Sequence, residues 1–305
     1  MKKILLATTL LAMTAGYASA EVAISGSARM GIVQMRVGVI DPAGPDGILG
    51  TGDDVVGSAG SVEAVFSSRV RIQFDGTGTT DGGLSFGASM RADQDGGNTS
   101  GTANGSSTVF VSGSFGKLTM GDVAGGAGDE LVGQISGVGY TGLGDSNEIG
   151  FLGSTATAAR YDYTSGNLSV ALGTSQTTAA AGADKNSIAV KYATDKYNVA
   201  LGYETVTGNN QVSLKVGATF GSATVKLKAA KNSIAGAKTE YGVSLDYAVN
   251  PALTVTAFYT AHKTAGTNAM GLGASYNLGG GASVVGGIVD NGTDTLGDVG
   301  VTMAF

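Results

Sequence analysis

From Glu21 to its last residue, the chain repeats one pattern: a short run of alternating apolar and polar residues, followed by a turn. Successive side chains of a β-strand point to opposite faces, so each run has one apolar and one polar face. The segment Val22 to Ile32 shows this, with Val22, Ile24 and Met30 on one face and Arg29 on the other. The pattern predicts a protein built almost entirely of half-apolar strands.

Counting the alternating segments predicts about sixteen strands, and their connections fall into two classes. Every second connection is short, whereas those between are mostly long and polar, notably the segments 34–60, 92–106 and 123–155. An even strand number, with short turns at one rim and long loops at the other, is typical of an outer-membrane barrel. We therefore expect an all-β, sixteen-stranded antiparallel transmembrane β-barrel.

The two predicted faces differ in chemistry. The apolar face places aromatic residues near strand ends, as an interfacial girdle does: Phe74, Tyr163, Tyr192, Tyr197, Phe220, Tyr247, Tyr276 and Phe305. The polar face carries the charges of the strands: Arg29, Arg69, Arg71, Arg91, Arg160, Asp162, Lys191, Glu204, Lys215, Lys226, Lys228 and Asp246. A soluble sandwich would also give half-apolar strands. The strand count, together with the export signal described below, favours a barrel with a polar lumen.

The last segment, Leu296 to Phe305, supplies the closing strand. Bare strand edges are unstable in hydrocarbon, where each unpaired backbone group costs several kcal/mol. We expect Leu296 to Phe305 to pair with Val22 to Ile32, and the ring of Phe305 to anchor at the membrane interface.

Composition excludes several classes of protein. There is no cysteine, which rules out a disulfide framework, and the net charge of -6 argues against a nucleic-acid partner. The 52 glycines and 3 prolines disfavour helices without resembling collagen. Lys2 and Lys3, an apolar stretch and the Ala18-Ser19-Ala20 site predict a cleaved signal peptide at residues 1–20. Residues 21–305 are then one barrel domain.

Several segments resemble a known family: "SRVRIQFDGTGTTDGGLSFGASMRA", "VFVSGSFGKLTMGDV", "ARYDYTSGNLSV", "GLGASYNLGGGASVVGGIVDN" and "DVGVTMAF". They are similar to the general diffusion porins of Gram-negative outer membranes, in particular those of purple non-sulphur alphaproteobacteria. The resemblance implies export through the periplasm to a bilayer that contains lipopolysaccharide, and a homotrimer in which each barrel has its own pore. It also implies that the loop after the fifth strand folds into the barrel.

By this resemblance, the segment of about 123–155 is the constriction loop. It would present acidic residues to the pore: Asp122, Asp129, Glu130, Asp145 and Glu148. The resemblance places a basic wall opposite, and the matching inward residues are Arg29, Arg69, Arg71 and Arg91. Opposed charges across a narrow aqueous gap create a transverse field that favours polar solutes.

Calcium is a possible ligand, although no cofactor is required. Asp46, Asp53 and Asp54 lie in a glycine-rich segment where carboxylates and backbone carbonyls could surround this hard cation. The constriction carboxylates are a second candidate site. Acidic residues also occur in turns for turn chemistry alone.

The leading functional hypothesis is passive diffusion of small hydrophilic solutes and ions, with mild cation preference and no catalysis. A substrate-selective channel would need an aromatic track, and only Phe110 and Phe258 have inward parity. A barrel enzyme of phospholipase type would have to use His262, the single histidine. A structural or adhesive barrel would have no open pore.

Overall fold

The structure, a computed structural model, describes residues 21–36, 61–95, 106–123, 126–152, 158–175 and 185–305. The predicted signal peptide at residues 1–20 lies outside these ranges. Sixteen antiparallel strands form one closed barrel, each paired with its neighbours in the chain, and β1 pairs with β16. The predicted fold class and strand number are confirmed.

The strands are β1 Glu21–Arg36, β2 Val62–Thr79, β3 Ser85–Asp95, β4 Ser106–Gly113, β5 Gly116–Gly121, β6 Ala158–Ser165, β7 Leu168–Ser175, β8 Lys185–Ala193, β9 Tyr197–Val206, β10 Asn209–Phe220, β11 Ala223–Asn232, β12 Glu240–Ala248, β13 Leu253–His262, β14 Thr267–Gly279, β15 Ala282–Asp290 and β16 Thr295–Ala304. Between β5 and β6 lie a short helix, α1 (Gly126–Leu131), and a 3₁₀ turn, Leu143–Asp145. No helix in the described part of the chain is long and apolar enough to cross a membrane.

Closure pairs the two predicted segments. Residues Ser27 to Val33 of β1 pair with Ala304 to Asp298 of β16. Next to the Ser27–Ala304 pair, the amide of Gly26 donates to the carbonyl oxygen of Phe305 at 2.7 Å, and the amide of Phe305 donates to the carbonyl oxygen of Gly26 at 3.0 Å. The terminal phenylalanine is thus held by backbone hydrogen bonds, while its ring remains on the outer surface, 67% exposed.

The apolar face of the alternation points outward. All the aromatic residues predicted to form the girdle are exposed, and Phe66 of β2 is 91% exposed. Tyr197 and Phe220, near the ends of neighbouring strands, pack edge to face with ring centroids 6.3 Å apart. In lipid this outer face is favourable, because the alternation places an apolar side chain at every second position.

Tight turns join alternate strands at one rim. The turns after β6 and β10 contain Gly166 and Gly221, whose φ angles are +57° and +59°. Two-residue hairpin turns of this hand need positive φ, which glycine adopts without steric cost. β2 continues past Phe74 to Thr79, so the turn to β3 comprises residues 80–84.

The buried core lies between the barrel wall and the segment 126–152, hereafter the inner loop. Its apolar cluster combines loop residues with inward residues of β1 and β13 to β15: Val33, Ile135, Val138, Leu143, Phe258, Ala269 and Val289. Helix α1 contacts β6 to β9, and the 3₁₀ turn contacts β15 and β16. The inner loop therefore spans the lumen from one side of the wall to the other.

Candidate pore constriction

The inner loop begins against the wall formed by β7 and β8. Ala127 is buried with Ala171 and Ala189, and these small side chains let α1 approach the sheet closely. The amide of Ala127 donates to Ser187 Oγ at 2.9 Å. Helix α1 is thus fixed at its first turn.

A serine anchors the middle of the loop. The amide of Ser136 donates to Ser244 Oγ at 3.0 Å, and its hydroxyl donates to Asp246 Oδ2 at 2.6 Å. Lys226 Nζ donates to the same hydroxyl at 2.6 Å and forms an ion pair with Asp246 at 3.2 Å. Two lumen charges are therefore engaged in holding the loop.

The far end of the loop rests on β1 and β16. Thr141 donates its amide and its hydroxyl to Asp298 Oδ2, at 2.8 and 2.6 Å. Arg29 donates to the carbonyl oxygen of Tyr140 at 3.3 Å. The Tyr140 ring covers Gly300, where an added Cβ would lie 3.0 Å from two ring atoms. A glycine there permits the loop to pack directly on the strand backbone.

The returning part of the loop is tied down by a buried lysine. Lys228, 2% exposed, donates to Gln134 Oε1 at 2.6 Å and to the carbonyl oxygen of Ile149 at 2.7 Å. Its ammonium group also lies 3.8 Å from the centroid of the Phe151 ring, a cation–π distance. Glu204 Oε2 accepts the amide of Leu152 at 2.8 Å.

The structure separates the predicted acidic residues into different environments. Asp145 and Glu148 are exposed on the loop, joined by a backbone hydrogen bond of 2.9 Å from Glu148 to Asp145. Glu130 forms an ion pair with Arg160 of β6 at 2.8 Å, and Arg160 also pairs with Asp162 at 3.0 Å. Asp129 is half-buried in the first turn of α1, and Asp122 is half-buried just after β5.

The carboxyl group of Glu148 has a raised pKa. Partial desolvation is the main cause, and the neighbouring carboxylates of Asp145 and Asp129 add to it. Lys228 opposes the shift. Glu148 therefore binds a proton at a higher pH than an ordinary glutamate does.

The predicted basic residues are arranged as a wall on β1 to β3. Arg29 and Arg69 are cross-strand neighbours on β1 and β2, and Arg29 donates to the loop backbone at Tyr140. Arg71 binds both oxygens of Asp93 at 2.9 Å, and Arg91 Nε lies 2.9 Å from the same carboxylate. The structure brings Arg71 and Arg91 together through an acid that the sequence analysis did not single out.

Two more charged residues that hold the loop, Asp298 and Lys228, were not predicted as site residues. In the sequence they are only polar residues of alternating strands. Inward parity was the available signal for all three missed residues, since Asp93 follows Arg91 by two positions. Parity does not indicate which lumen residue meets the loop.

The remaining predicted residues have identifiable surroundings. Phe258 is buried against the loop and Phe110 lies under Lys117 Nζ, 4.3 Å from its ring centroid. His262 Nε2 lies 3.4 Å from the carbonyl oxygen of Ser146, while the Ser146 hydroxyl donates to Leu143.

The predicted calcium ligands Asp46, Asp53 and Asp54 lie outside the described residues. Across the ranges that the structure describes, no group of three or more His, Asp or Glu side chains is arranged to hold a metal ion.

Comparison with known proteins agrees with this architecture. A family model for the Gram-negative porin matches residues 7–296. A porin of Rhodobacter capsulatus is 35% identical over 331 aligned residues, covering 93% of this chain and all of the relative.

Solved structures show the same barrel. A refined porin structure is 33% identical with a TM-score of 0.71, covering 93% of this chain and all of the other. An engineered variant of the Rhodopseudomonas blastica porin has a TM-score of 0.75 over the same coverage; at 23% identity it supports the fold alone. The chain therefore belongs to the Gram-negative porin family and is an outer-membrane diffusion porin.

Proposed function

We propose that the barrel is a passive, water-filled channel for small hydrophilic solutes and ions, constricted by the inner loop and mildly cation-preferring. One observation carries the proposal: the loop is anchored inside the barrel, yet Asp145 and Glu148 are exposed on it. The arginine wall is likewise accessible, with side-chain exposures of 29% for Arg71 and 31% for Arg91. Both signs of charge are thus available to passing solutes.

Opposed charges at a constriction act on the solute by orientation and desolvation. A polar solute exchanges water for the charged walls, whereas an apolar solute must lose water without compensation. The acid carboxylates on the loop would raise the local cation concentration. Glu130 contributes less to this effect, since Arg160 neutralises it at 2.8 Å.

The protein is proposed to act without catalysis and without a required cofactor. The family is a channel family rather than an enzyme family. Support comes from His262, which faces a backbone carbonyl while the Ser146 hydroxyl donates elsewhere. Lipid hydrolysis by the purified wild-type protein that is lost in His262→Ala would refute this part of the proposal.

Calcium binding near Asp46, Asp53 and Asp54 is a separate proposal that rests on residue chemistry alone; the constriction carboxylates, as the structure describes them, form no group of three that could hold a metal ion. Removal of calcium with a chelator should lower the thermal stability of the purified protein. An unchanged unfolding temperature would end this proposal.

Assembly as a homotrimer in a membrane with lipopolysaccharide is proposed from the resemblance to porins. Small residues on the outward face of the early strands, such as Gly26, Ala28 and Ala88, suit close subunit packing. Chemical cross-linking of the protein in native outer membranes should give a ladder that ends at three subunits. A ladder ending at one or two subunits would contradict the trimer.

The experiment that tests the channel is single-channel recording of the mature protein in a planar bilayer, with reversal potentials in a salt gradient. We expect ohmic openings that close in three equal steps, and a reversal potential that indicates weak cation preference. A silent bilayer would contradict the diffusion function, and an anion-selective reversal potential would contradict the proposed preference.

A further inference from the structure

The basic wall of the lumen contains a carboxylate that two arginines share. Arg71 on β2 is the direct cross-strand partner of Asp93 on β3, and its Nε and Nη2 each donate to one Asp93 oxygen at 2.9 Å. Arg91, two residues before Asp93 on the same face of β3, brings its Nε to 2.9 Å from Oδ1. Bidentate pairs of this kind fix the plane of the guanidinium group.

This cluster lies near the level at which the inner loop crosses the lumen. Arg29 reaches the loop backbone at Tyr140, and Arg29 pairs with Arg69 across β1 and β2. Arg71 is two residues farther along β2 on the same face, or roughly 7 Å at the usual strand rise. All three members of the cluster keep about three-tenths of their side-chain surface exposed. Solutes that pass the loop therefore pass this cluster.

The shared carboxylate halves the charge of the arginine pair. Two guanidinium groups and one carboxylate leave a single net positive charge. The pair is also held against the wall by three hydrogen bonds or ion contacts, rather than extended into the lumen. Asp75, also on β2, differs from Asp93 in its partner: its carboxylate accepts from the Gln73 side-chain amide at 3.0 and 3.1 Å.

We propose that Asp93 is a selectivity-determining residue of this channel: it orients Arg71 and Arg91 and lowers the positive charge of the basic wall, and so preserves cation permeation beside the arginines. The inference rests on the proposed channel function and deepens it. It assigns the control of ion preference to a residue of the wall, in addition to the carboxylates of the loop.

The size of the effect follows from one unit charge in water. At about 7 Å and a dielectric constant near 80, a unit charge changes the local concentration of a monovalent ion about two- to threefold. Salt weakens this change, because the screening length at 0.1 M is about 10 Å. Selectivity measured at low salt is therefore the sensitive readout.

The test uses Asp93→Asn in planar bilayers, recorded beside the wild-type channel in a gradient of dilute potassium chloride. The cation-to-anion permeability ratio should fall by up to about four- to ninefold at low salt, because the added charge lowers the cation concentration and raises the anion concentration by the same factor. Asp93→Glu should keep the wild-type ratio. Asp75→Asn is the matched control, an inward β2 residue four positions from Arg71 whose carboxylate accepts from Gln73 rather than from an arginine of the described residues, and it should shift the ratio less.

A charge-balanced variant keeps the proposal testable if Asp93→Asn alone fails to fold. Arg91→Gln should raise the permeability ratio, and Arg91→Gln combined with Asp93→Asn should restore it towards the wild-type value. An unchanged ratio in Asp93→Asn, an equal shift in Asp75→Asn, or no restoration in the double variant would each overturn the proposal. Wild-type openings in the same recordings show whether the channel function itself holds.

Discussion

Thr141 of the inner loop donates both its amide and its hydroxyl to a single carboxylate oxygen of Asp298, at 2.8 and 2.6 Å. Asp298 is only 8% exposed and belongs to β16, the strand that closes the barrel against β1. The strand that closes the cylinder thus also holds the inner loop, through the side chain of Asp298.

Removing that carboxylate should release the far end of the loop. Asp298→Ala leaves the amide and hydroxyl of Thr141 without their acceptor, at a cost of about 1–3 kcal/mol in the free energy of unfolding. We expect larger current fluctuations in the open channel, measured at constant voltage. Asp298→Asn retains an acceptor oxygen and should behave more like wild type. Equal noise in all three proteins would contradict the anchoring role.

Lys228 should be the main anchor of the returning part of the loop. Lys228→Met fills similar space but leaves Gln134 Oε1 and the Ile149 carbonyl oxygen without this donor. Both acceptors keep a second donor, the Ile149 amide and Gln134 Nε2. The loss should therefore be that of two hydrogen bonds to a charged donor, about 1–3 kcal/mol in all, which urea titration of the barrel in lipid vesicles can measure. Lys196→Met, at an exposed turn residue, is the control and should change stability little. An unchanged free energy of unfolding in Lys228→Met would show that the loop is held elsewhere.

A glycine on β14 determines where Phe258 packs, and through it where the loop lies. An added Cβ at Gly271 would lie 2.9 Å from both Cδ1 and Cζ of the Phe258 ring. Gly271→Ala should displace the ring towards Ile135 and Val138, with an overpacking cost of about 1–3 kcal/mol and an altered conductance.

The double variant of Gly271→Ala with Phe258→Ala tests whether Gly271 acts on the loop through the Phe258 ring. Because the ring is the nearest obstacle, removing it should cancel much of the conductance change caused by Gly271→Ala. Phe258→Ala alone provides the reference for the cavity it creates. Additive effects of the two substitutions would show that Gly271 acts independently of the ring.

Ion preference should change with pH through Glu148. Its raised pKa means that it is protonated at a higher pH than an ordinary glutamate, so the cation preference should weaken as pH falls through that range. The folded state then binds more protons than the unfolded chain. Glu148 therefore adds stability as pH falls through its folded-state pKa, and this contribution is absent above it.

Reversal potentials of the wild type and Glu148→Gln, measured from neutral to acid pH, check this expectation. Glu148→Gln should show a weaker cation preference at neutral pH. It should also lack the part of the pH-dependent weakening that comes from protonation of Glu148. Identical pH profiles in the two proteins would assign the response to other carboxylates.

Much of the barrel was predictable because strand pattern is local. The two-residue period assigns each side chain to one face, so the outward aromatic residues and the inward charges follow from parity. The pairing of Leu296 to Phe305 with Val22 to Ile32 follows from the need to leave no strand edge in lipid, and the structure confirms it. The sixteen strands were countable for the same reason.

The candidate site was predictable only in its residue types. The sequence predicts Arg29, Arg69, Arg71 and Arg91 as one basic wall, whereas in the structure Arg29 binds the loop backbone and Arg71 and Arg91 share Asp93. Glu130 was grouped with the other loop acids, but it pairs with Arg160 of β6. Their roles as constriction residues stay predictions for the channel recordings above.

The amino-acid sequence by itself determined the strands, their two faces and the closure of the barrel, because each depends on alternation and on the cost of unpaired backbone in lipid. Only the tertiary structure decided which lumen charges are neutralised and which are exposed. That choice depends on cross-strand register and on the path of the inner loop, which bring together residues as distant as Thr141 and Asp298. No local period encodes such a contact.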